Sequence, residues 1–364
     1  MEIVVGSKDL QATYRNKNVL VTGHTGFKGS WLARWLAELG ARVFGYALAP
    51  NSTPSHHDLL NPPFRSELNT ILNYEALLSF LQETKPEIVF HLAAQPLVIE
   101  SYKNPLETFH TNISGTANLL EACRHTDSVK AVVIISSDKC YQNKEWIFPY
   151  RETDRLGGFD PYSASKACTE IITESYRNSF FPVKDYNHTH QVLLASARAG
   201  NVIGGGDWAA YRLVPDIVRA AFSNQKVVIR SPMAIRPWQH VLEPLYGYLL
   251  LGRKLLLGDT AAAQAWNFGA TPDESHTVEQ MVMFAQKIWP RISFEIQTQN
   301  NAFHEAGILK LDSSMATNLL GWKSRWSHCA IENTIQWYRE YYESGKIITD
   351  LQLKLYLQSL DVKE

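Results

Sequence analysis

Apolar residues follow two periods along the chain up to about Gly204. Short, wholly apolar runs alternate with stretches in which apolar residues return every three or four positions. The first pattern predicts strands buried on both faces, the second amphipathic helices. Strands are predicted at "NVLVTG", "ARVFGYAL", "PEIVFHLAA", "VKAVVIISS" and the start of "QVLLASARAGNVIGGG". Helices are predicted at "FKGSWLARWLAELG", "NYEALLSFLQET", "PLETFHTNISGTANLLEACRH" and "DPYSASKACTEIITESYRNSFF". In the first of these Leu32, Leu36 and Leu39 share a side, and Gly40 suits the C-terminus. "NSTPSHHDLLNPPF" reads as loop from its Pro, Asn and Ser content. Residues 1–15 read as a polar lead-in with a short helix at Lys8–Tyr14. Strands alternating with helices predict an α/β fold on a parallel sheet covered on both faces.

The alternation loosens after Gly204, and the segment from Thr271 is mixed and rich in Trp and Tyr. A smaller second lobe is therefore expected. Residues 13–204 are assigned to the first domain, with 236–270 returning to it; 205–235 and 271–350 are assigned to the second lobe. The sequence contains no internal repeats.

Composition narrows the partners. The chain has 364 residues, 45% hydrophobic and 20% charged, with a net charge of −1. No basic field exists to hold nucleic acid, so affinity for phosphate has to be local. Cys123, Cys140, Cys168 and Cys329 show no paired spacing and read as free thiols of a reducing compartment. The start, "MEIVVGSKDL", does not resemble a signal peptide, and no apolar run approaches the ~20 residues that span a bilayer. A cytoplasmic protein without a membrane partner is expected. His56 and His57, and His188 and His190, lack further ligands at suitable spacing, so no metal is expected.

Two motifs carry chemistry. Gly23, Gly26 and Gly29 stand between a predicted strand and a predicted helix. A helix N-terminus offers unpaired N–H groups and partial positive charge to a pyrophosphate. One glycine permits the turn, one the approach of phosphate, one close helix–strand packing. A ligand-free turn is the alternative, and the strand–turn–helix context argues against it. The next strand ends in Ala47, Leu48 and Ala49, with neither the acid that grips a ribose nor an Arg for a 2′-phosphate.

In "YSASK", Tyr162 and Lys166 are four apart and share a helix face. A lysine ammonium beside a phenol is expected to lower the phenol's pKa toward the range of a useful base. A second copy at Tyr342 and Lys346 has no supporting context. "AVVIISSDK" instead delivers Ser136, Ser137, Asp138 and Lys139 to a strand end, where open α/β sheets bind ligands. Asp138 and Lys139 alone would read as a solvated ion pair; beside Ser137 and Tyr162 they read as an acid–base pair.

The glycine turn, "HLAAQ", "TNISGT", Ser137 followed by Tyr162 and Lys166, and "AGNVIGG" together resemble the extended short-chain dehydrogenase/reductase family of nucleotide-sugar enzymes over about residues 17–340. "GHTGFKGSWL", "AAQPLV", "SSDKCY", "RAGNVIGGGDWA" and "IRPWQHVLEPL" are similar to the branch that dehydrates CDP-glucose. The resemblance implies a Rossmann-type doubly wound parallel sheet with a smaller, mainly C-terminal lobe for the nucleotide sugar. It implies NAD as cofactor and a lyase making a 4-keto-6-deoxy sugar for deoxy-sugar biosynthesis, such as lipopolysaccharide O-antigen. Tyr162, Lys166 and Ser137 would act at the sugar C4 hydroxyl, Asp138 as acid at C6, and Lys139 in C5 proton transfer. Gly23, His24, Gly26, Phe27, Lys28 and Gly29 would follow the NAD pyrophosphate. Ala93, Ala94 and Gln95 would lie near the nicotinamide half, with Asn112 supporting them from the next helix. Gln95, Asn201, Arg212 and Arg236 would face the substrate. Thr70 stands where the family often has an adenine-contacting Asp. A homodimer through the helices at 111–122 or 165–176 is also implied. A nucleotide-sugar 4-epimerase, a dehydratase of another sugar nucleotide and a non-catalytic NAD sensor are the competing readings.

Overall fold

A computed structural model describes residues 5–270, 275–297 and 309–362, with Arg236 and Ser275 described as backbone only. The central sheet is wholly parallel. Its strands are β1 (Asn18–Thr22), β2 (Arg42–Ala47), β3 (Arg65–Leu68), β4 (Ile88–His91), β5 (Ala131–Ile135), β6 (Leu193–Ala199) and the late strand Ala265–Phe268. From one edge the order is Ala265–Phe268, β6, β5, β4, β1, β2, β3. β1 therefore has β2 on one side and β4 on the other, with Thr22 beside both Tyr46 and His91. This reversal of strand order opens a crevice at the carboxyl ends of β1 and β4.

The apolar runs are explained by two cores. Val19 and Val21 enter one, Leu20 the other; Ile88 and Phe90 are likewise divided from Val89. Successive strand residues point to opposite faces, so a strand covered on both sides needs apolar residues throughout. The helices Tyr74–Thr84 and Gly115–Arg124 cover one face, while Phe27–Glu38 and Leu242–Leu256 cover the other.

Three elements differ from the sequence expectation. The supposed loop at 51–64 contains the helix His56–Leu60, started by Ser55, whose hydroxyl accepts from the Asp58 N–H at 3.1 Å. β3 reads "RSEL" and is mostly exposed at the sheet edge, so it has no apolar pattern to reveal it. The third helix is broken into Pro105–Phe109 and Gly115–Arg124, joined by a π-helical turn at His110–Ser114, and an unexpected short helix, Val98–Lys103, precedes it. That turn carries Asn112, which is buried.

The lead-in forms the helix Ser7–Tyr14, and the Tyr14 hydroxyl donates to the Leu249 carbonyl at 2.7 Å. Beyond Gly204 lie the helix Leu213–Phe222, the parallel pair Lys226–Ile229 and Ser293–Ile296, and the antiparallel pair Ile235–Pro237 and Ser275–Thr277. The helices Val278–Ile288, Ala330–Ser344 and Thr349–Leu360 complete it. Trp337 and Tyr356 from these last two share a core with Trp31 and Trp35 of the glycine-turn helix. His56 joins the parts: one ring nitrogen meets Ser30 Oγ at 2.7 Å, the other Thr349 Oγ1 at 2.8 Å.

Candidate active site

A cleft of about 1540 Å³ lies over the strand ends and is walled on its far side by residues beyond Gly204. The glycine turn forms one end. Gly23 has φ 73°, and a Cβ there would lie 2.7 Å from the Ala93 nitrogen. A Cβ on Gly29 would overlap the Gly23 carbonyl, so this glycine lets helix and strand pack closely. Gly26, by contrast, faces the cleft: a Cβ there would meet only the Gly23 oxygen at 3.3 Å. It is also the N-cap of Phe27–Glu38, with no side-chain cap. The geometry fits a dinucleotide pyrophosphate: unclaimed N–H groups face open space where a side chain would intrude.

His24 belongs to this turn, but its ring lies under β2 rather than in the cleft. It is fully buried, with Nε2 2.6 Å from Ser66 Oγ, and Phe64 and His57 lie beside it. Burial, helped by His57, lowers its pKa to about 4. Ala93 and Ala94 line the cleft. Gln95 departs from expectation: its amide donates to the Leu97 carbonyl at 3.1 Å and to Thr108 Oγ1 at 2.8 Å. Asn112 braces that loop, accepting from the Gln95 N–H at 2.8 Å and donating to the Gln95 carbonyl at 3.1 Å and Ser165 Oγ at 2.8 Å. Neither side chain is on the cleft wall; both hold the wall in place.

The chemistry-bearing residues converge. β5 runs into the 3₁₀ turn Asp138–Cys140, and Ser137 Oγ donates to Asp138 Oδ1 at 2.8 Å. Lys139 Nζ stands 3.9 Å from the same oxygen. The helix Pro161–Ser179 starts at Asp160, which accepts from the Ser163 N–H at 2.9 Å, with Pro161 in the first turn. This start sets Tyr162 beside Ser137, whose hydroxyl favours its phenolate. One turn on, Lys166 Nζ donates to the Ile135 carbonyl at 3.4 Å.

The electrostatics correct one expectation. Burial pushes Tyr162 up to about 12, against the pull of the Ser137 hydroxyl and of Arg212. Burial also lowers Lys166 to about 8. Lys28, at the start of the glycine-turn helix, falls to about 7 through burial and the charges of Arg212 and Lys166, opposed by Asp138. Desolvation here outweighs the groups that favour the phenolate, Ser137 and Arg212. Basic side chains gathered around one carboxylate make the cleft a place for an anion.

Arg212 precedes the helix Leu213–Phe222 on the far wall, and its Nη1 donates to Asp207 Oδ2 at 2.8 Å. Asn201 lies on the wall just past β6. Arg236 is in the short strand Ile235–Pro237, but its side chain lies outside the described set. Thr70 lines the cleft and caps its own turn, accepting from the Leu72 N–H at 3.2 Å. Sequence reasoning missed Lys103 and Tyr211, which meet across the cleft at 3.3 Å. It also missed the buried pair Glu170 and Arg198, 2.9 Å apart. Lys103 and Tyr211 carry no motif, whereas Glu170 continues the four-residue spacing of Tyr162 and Lys166.

A model of the GDP-mannose 4,6-dehydratase family matches residues 20–334. A CDP-glucose 4,6-dehydratase of Salmonella typhimurium is 48% identical over 331 residues, which cover 90% of this chain and 92% of that one. Among solved structures, an epimerase of Methanothermobacter thermautotrophicus has a TM-score of 0.79 at 24% identity, covering 93% of this chain and 96% of its own. A dTDP-glucose 4,6-dehydratase of Streptomyces venezuelae, solved with NAD bound, has a TM-score of 0.73 at 21% identity, covering 90% of this chain and 99% of its own. At those identities the structures bear on the fold alone.

Proposed function

The chain belongs to the GDP-mannose 4,6-dehydratase family, and from that premise we propose that it is an NAD-dependent lyase converting CDP-D-glucose to CDP-4-keto-6-deoxy-D-glucose. The observation that carries this reading is the placing of Asp138 and Lys139 beside Ser137 and Tyr162 in one cleft. A simple alcohol oxidation or epimerisation has no use for that second acid–base pair.

NAD would lie along the glycine turn at Gly23, Gly26 and Gly29, and would supply the acceptor and donor of hydride for a net redox-neutral dehydration. The chain's own groups move the protons. Tyr162 takes the proton of the C4 hydroxyl, with the Ser137 hydroxyl beside it. Lys166 and Arg212 supply positive charge that favours the phenolate. Once C4 is a ketone, the C5 hydrogen is acidic, and Lys139 takes it as a proton, to be returned to C5 when hydride has been restored at C6. Asp138 protonates the C6 hydroxyl, which leaves as water. Arg212 and Asn201 hold the diphosphate side, where a guanidinium fork suits phosphate oxygens. The product would feed deoxy- or dideoxy-sugar synthesis for surface polysaccharide in the cytoplasm, a setting in keeping with four unpaired cysteines.

The direct test incubates the protein and NAD with CDP-, dTDP-, UDP- and GDP-glucose in separate reactions. Loss of one water from the CDP sugar alone, by mass and by the 4-keto-6-deoxy absorbance in base, is the expected result. No water loss from any of the four overturns the reading.

A homodimer is part of the same proposal. The helix Pro161–Ser179 packs beside Pro105–Phe109 and Gly115–Arg124, and Leu106 and Ile171 stay exposed on the outer side. Two such helix pairs would bury each other's apolar faces. Light scattering at twice the mass of one chain is expected, and a monomer at micromolar concentration rejects it.

A further inference from the structure

The helix Pro161–Ser179 is tied to the end of β5 by two hydrogen bonds: the Ile135 carbonyl accepts from Lys166, and Ser136 donates to Glu170. Tyr162 stands beside Ser137. The three helix residues are spaced by four and share one face. Tyr162 and Lys166 act on substrate; Glu170 is not used by the proposed chemistry.

Glu170 is almost wholly buried, and its carboxylate is saturated. Besides Ser136, it accepts from Ser196 Oγ at 2.7 Å and from Arg198 Nη2 at 2.9 Å. Burial opposes its charge, but Arg198 and the hydroxyls hold it ionised, with its pKa below the usual carboxylate value. Arg198 continues outward: Nη1 donates to the Tyr141 hydroxyl at 2.7 Å and to the Glu152 carbonyl at 2.9 Å. The Tyr141 hydroxyl donates to Asn267 Oδ1 at 2.8 Å, and its ring lies 5.0 Å from the Arg198 guanidinium. Tyr141 follows directly on the turn that carries Asp138 and Lys139. One buried ion pair thus grips the catalytic helix, two strand ends and the acid–base turn. Such pairs seldom stabilise a fold more than apolar residues of the same volume would, so stability alone is a weak reason for placing one here.

We propose that Glu170, anchored by Arg198, is a positioning residue of the hydride-transfer site: it fixes the register of the Tyr162–Lys166 helix against β5 and places a carboxylate one helical turn from Lys166. This rests on the roles given above to Tyr162 and Lys166. The charged or titratable groups around Lys166 are Tyr162 and Glu170, one turn to either side on its own helix, Cys140 after β5, Lys28 at the glycine turn and His91 at the end of β4. Glu170, and after it Cys140, favour the protonated lysine, whereas the positive charge of Lys166 disfavours the protonated forms of Lys28 and His91. In Glu170→Gln that support is lost and Arg198 is left unpaired, so Lys166 gives up its proton at lower pH.

The test titrates Lys166 without turnover, by the pH dependence of its carbamylation with cyanate, read by peptide mass. The wild-type midpoint is expected near 8, and Glu170→Gln is expected to move it down by about one pH unit. The alkaline limb of kcat/KM with CDP-glucose should move with it, giving about tenfold loss above the midpoint and little below it. A purely structural role predicts a loss equal at every pH, and an unmoved midpoint overturns the charge role. Glu170→Asp keeps the charge and withdraws from Ser136, and it remains informative if the Gln variant fails to fold. Its limb should stay in place while kcat falls severalfold; wild-type kcat in this variant overturns the register role. Failure of the dehydratase reading appears separately, as wild-type protein without turnover but with the same Lys166 titrations.

Discussion

Tyr162→Phe is expected to lower kcat by about 10³-fold, within the usual range for removal of a general base, while NAD binding changes little. The substitution removes one oxygen and leaves the ring, so the packing of a residue 8% exposed is kept. What disappears is the group that takes the C4 proton, whose phenolate the Ser137 hydroxyl favours. Because burial pushes this phenol up to about 12, the wild-type enzyme depends on surrounding positive charge to make it a base. That charge fails as Lys166, at about 8, gives up its proton. Wild-type kcat/KM should therefore fall on the alkaline side, while the residual Phe activity should lack that limb. Steady-state rates from pH 6 to 9, with NAD affinity by calorimetry, check both parts. A Phe variant with a tenth or more of wild-type kcat would mean that another group takes the proton.

The same electrostatics show why the site was only partly legible in the sequence. Buried strands announce themselves because both faces need apolar residues, as Val19, Leu20 and Val21 do. Glycine positions announce themselves because backbone geometry admits no other residue, as at Gly23 and Gly29. Tyr162, Lys166 and Ser137 were legible because helix periodicity and a strand end bring them together. The sign of the pKa shift was not legible, since it depends on how much of the chain closes over the phenol. Nor were the roles of His24 and Gln95: a motif names a residue but not the direction of its side chain. His24 turns under β2 to Ser66, and Gln95 turns to Thr108. β3 and the far-wall contact of Lys103 with Tyr211 left no pattern, because exposed or singly placed polar residues have no period.

Asp138→Asn carries the sharpest consequence for the reaction itself. Asn keeps the shape of the side chain and still accepts from Ser137 Oγ, a bond of 2.8 Å in the present structure. It cannot supply a proton to the leaving C6 hydroxyl. Water loss is expected to slow by about 10²- to 10⁴-fold, while the steps before it survive. The 4-keto sugar should then accumulate and revert, and each cycle gives Lys139 an opportunity to exchange the C5 hydrogen with solvent. In heavy water the expected outcome is CDP-glucose recovered with deuterium at C5 and almost no 4-keto-6-deoxy product. This separates the readings. A 4-epimerase makes no demand on Asp138, so the same substitution would leave its turnover nearly intact and yield a C4-inverted sugar. Normal dehydration by Asp138→Asn would remove Asp138 as the acid and leave the neighbouring ammonium of Lys139, 3.9 Å from it, to fill both parts. Exchange without water loss would assign the two residues to separate steps, one at C6 and one at C5, on the strength of a single oxygen replaced by nitrogen.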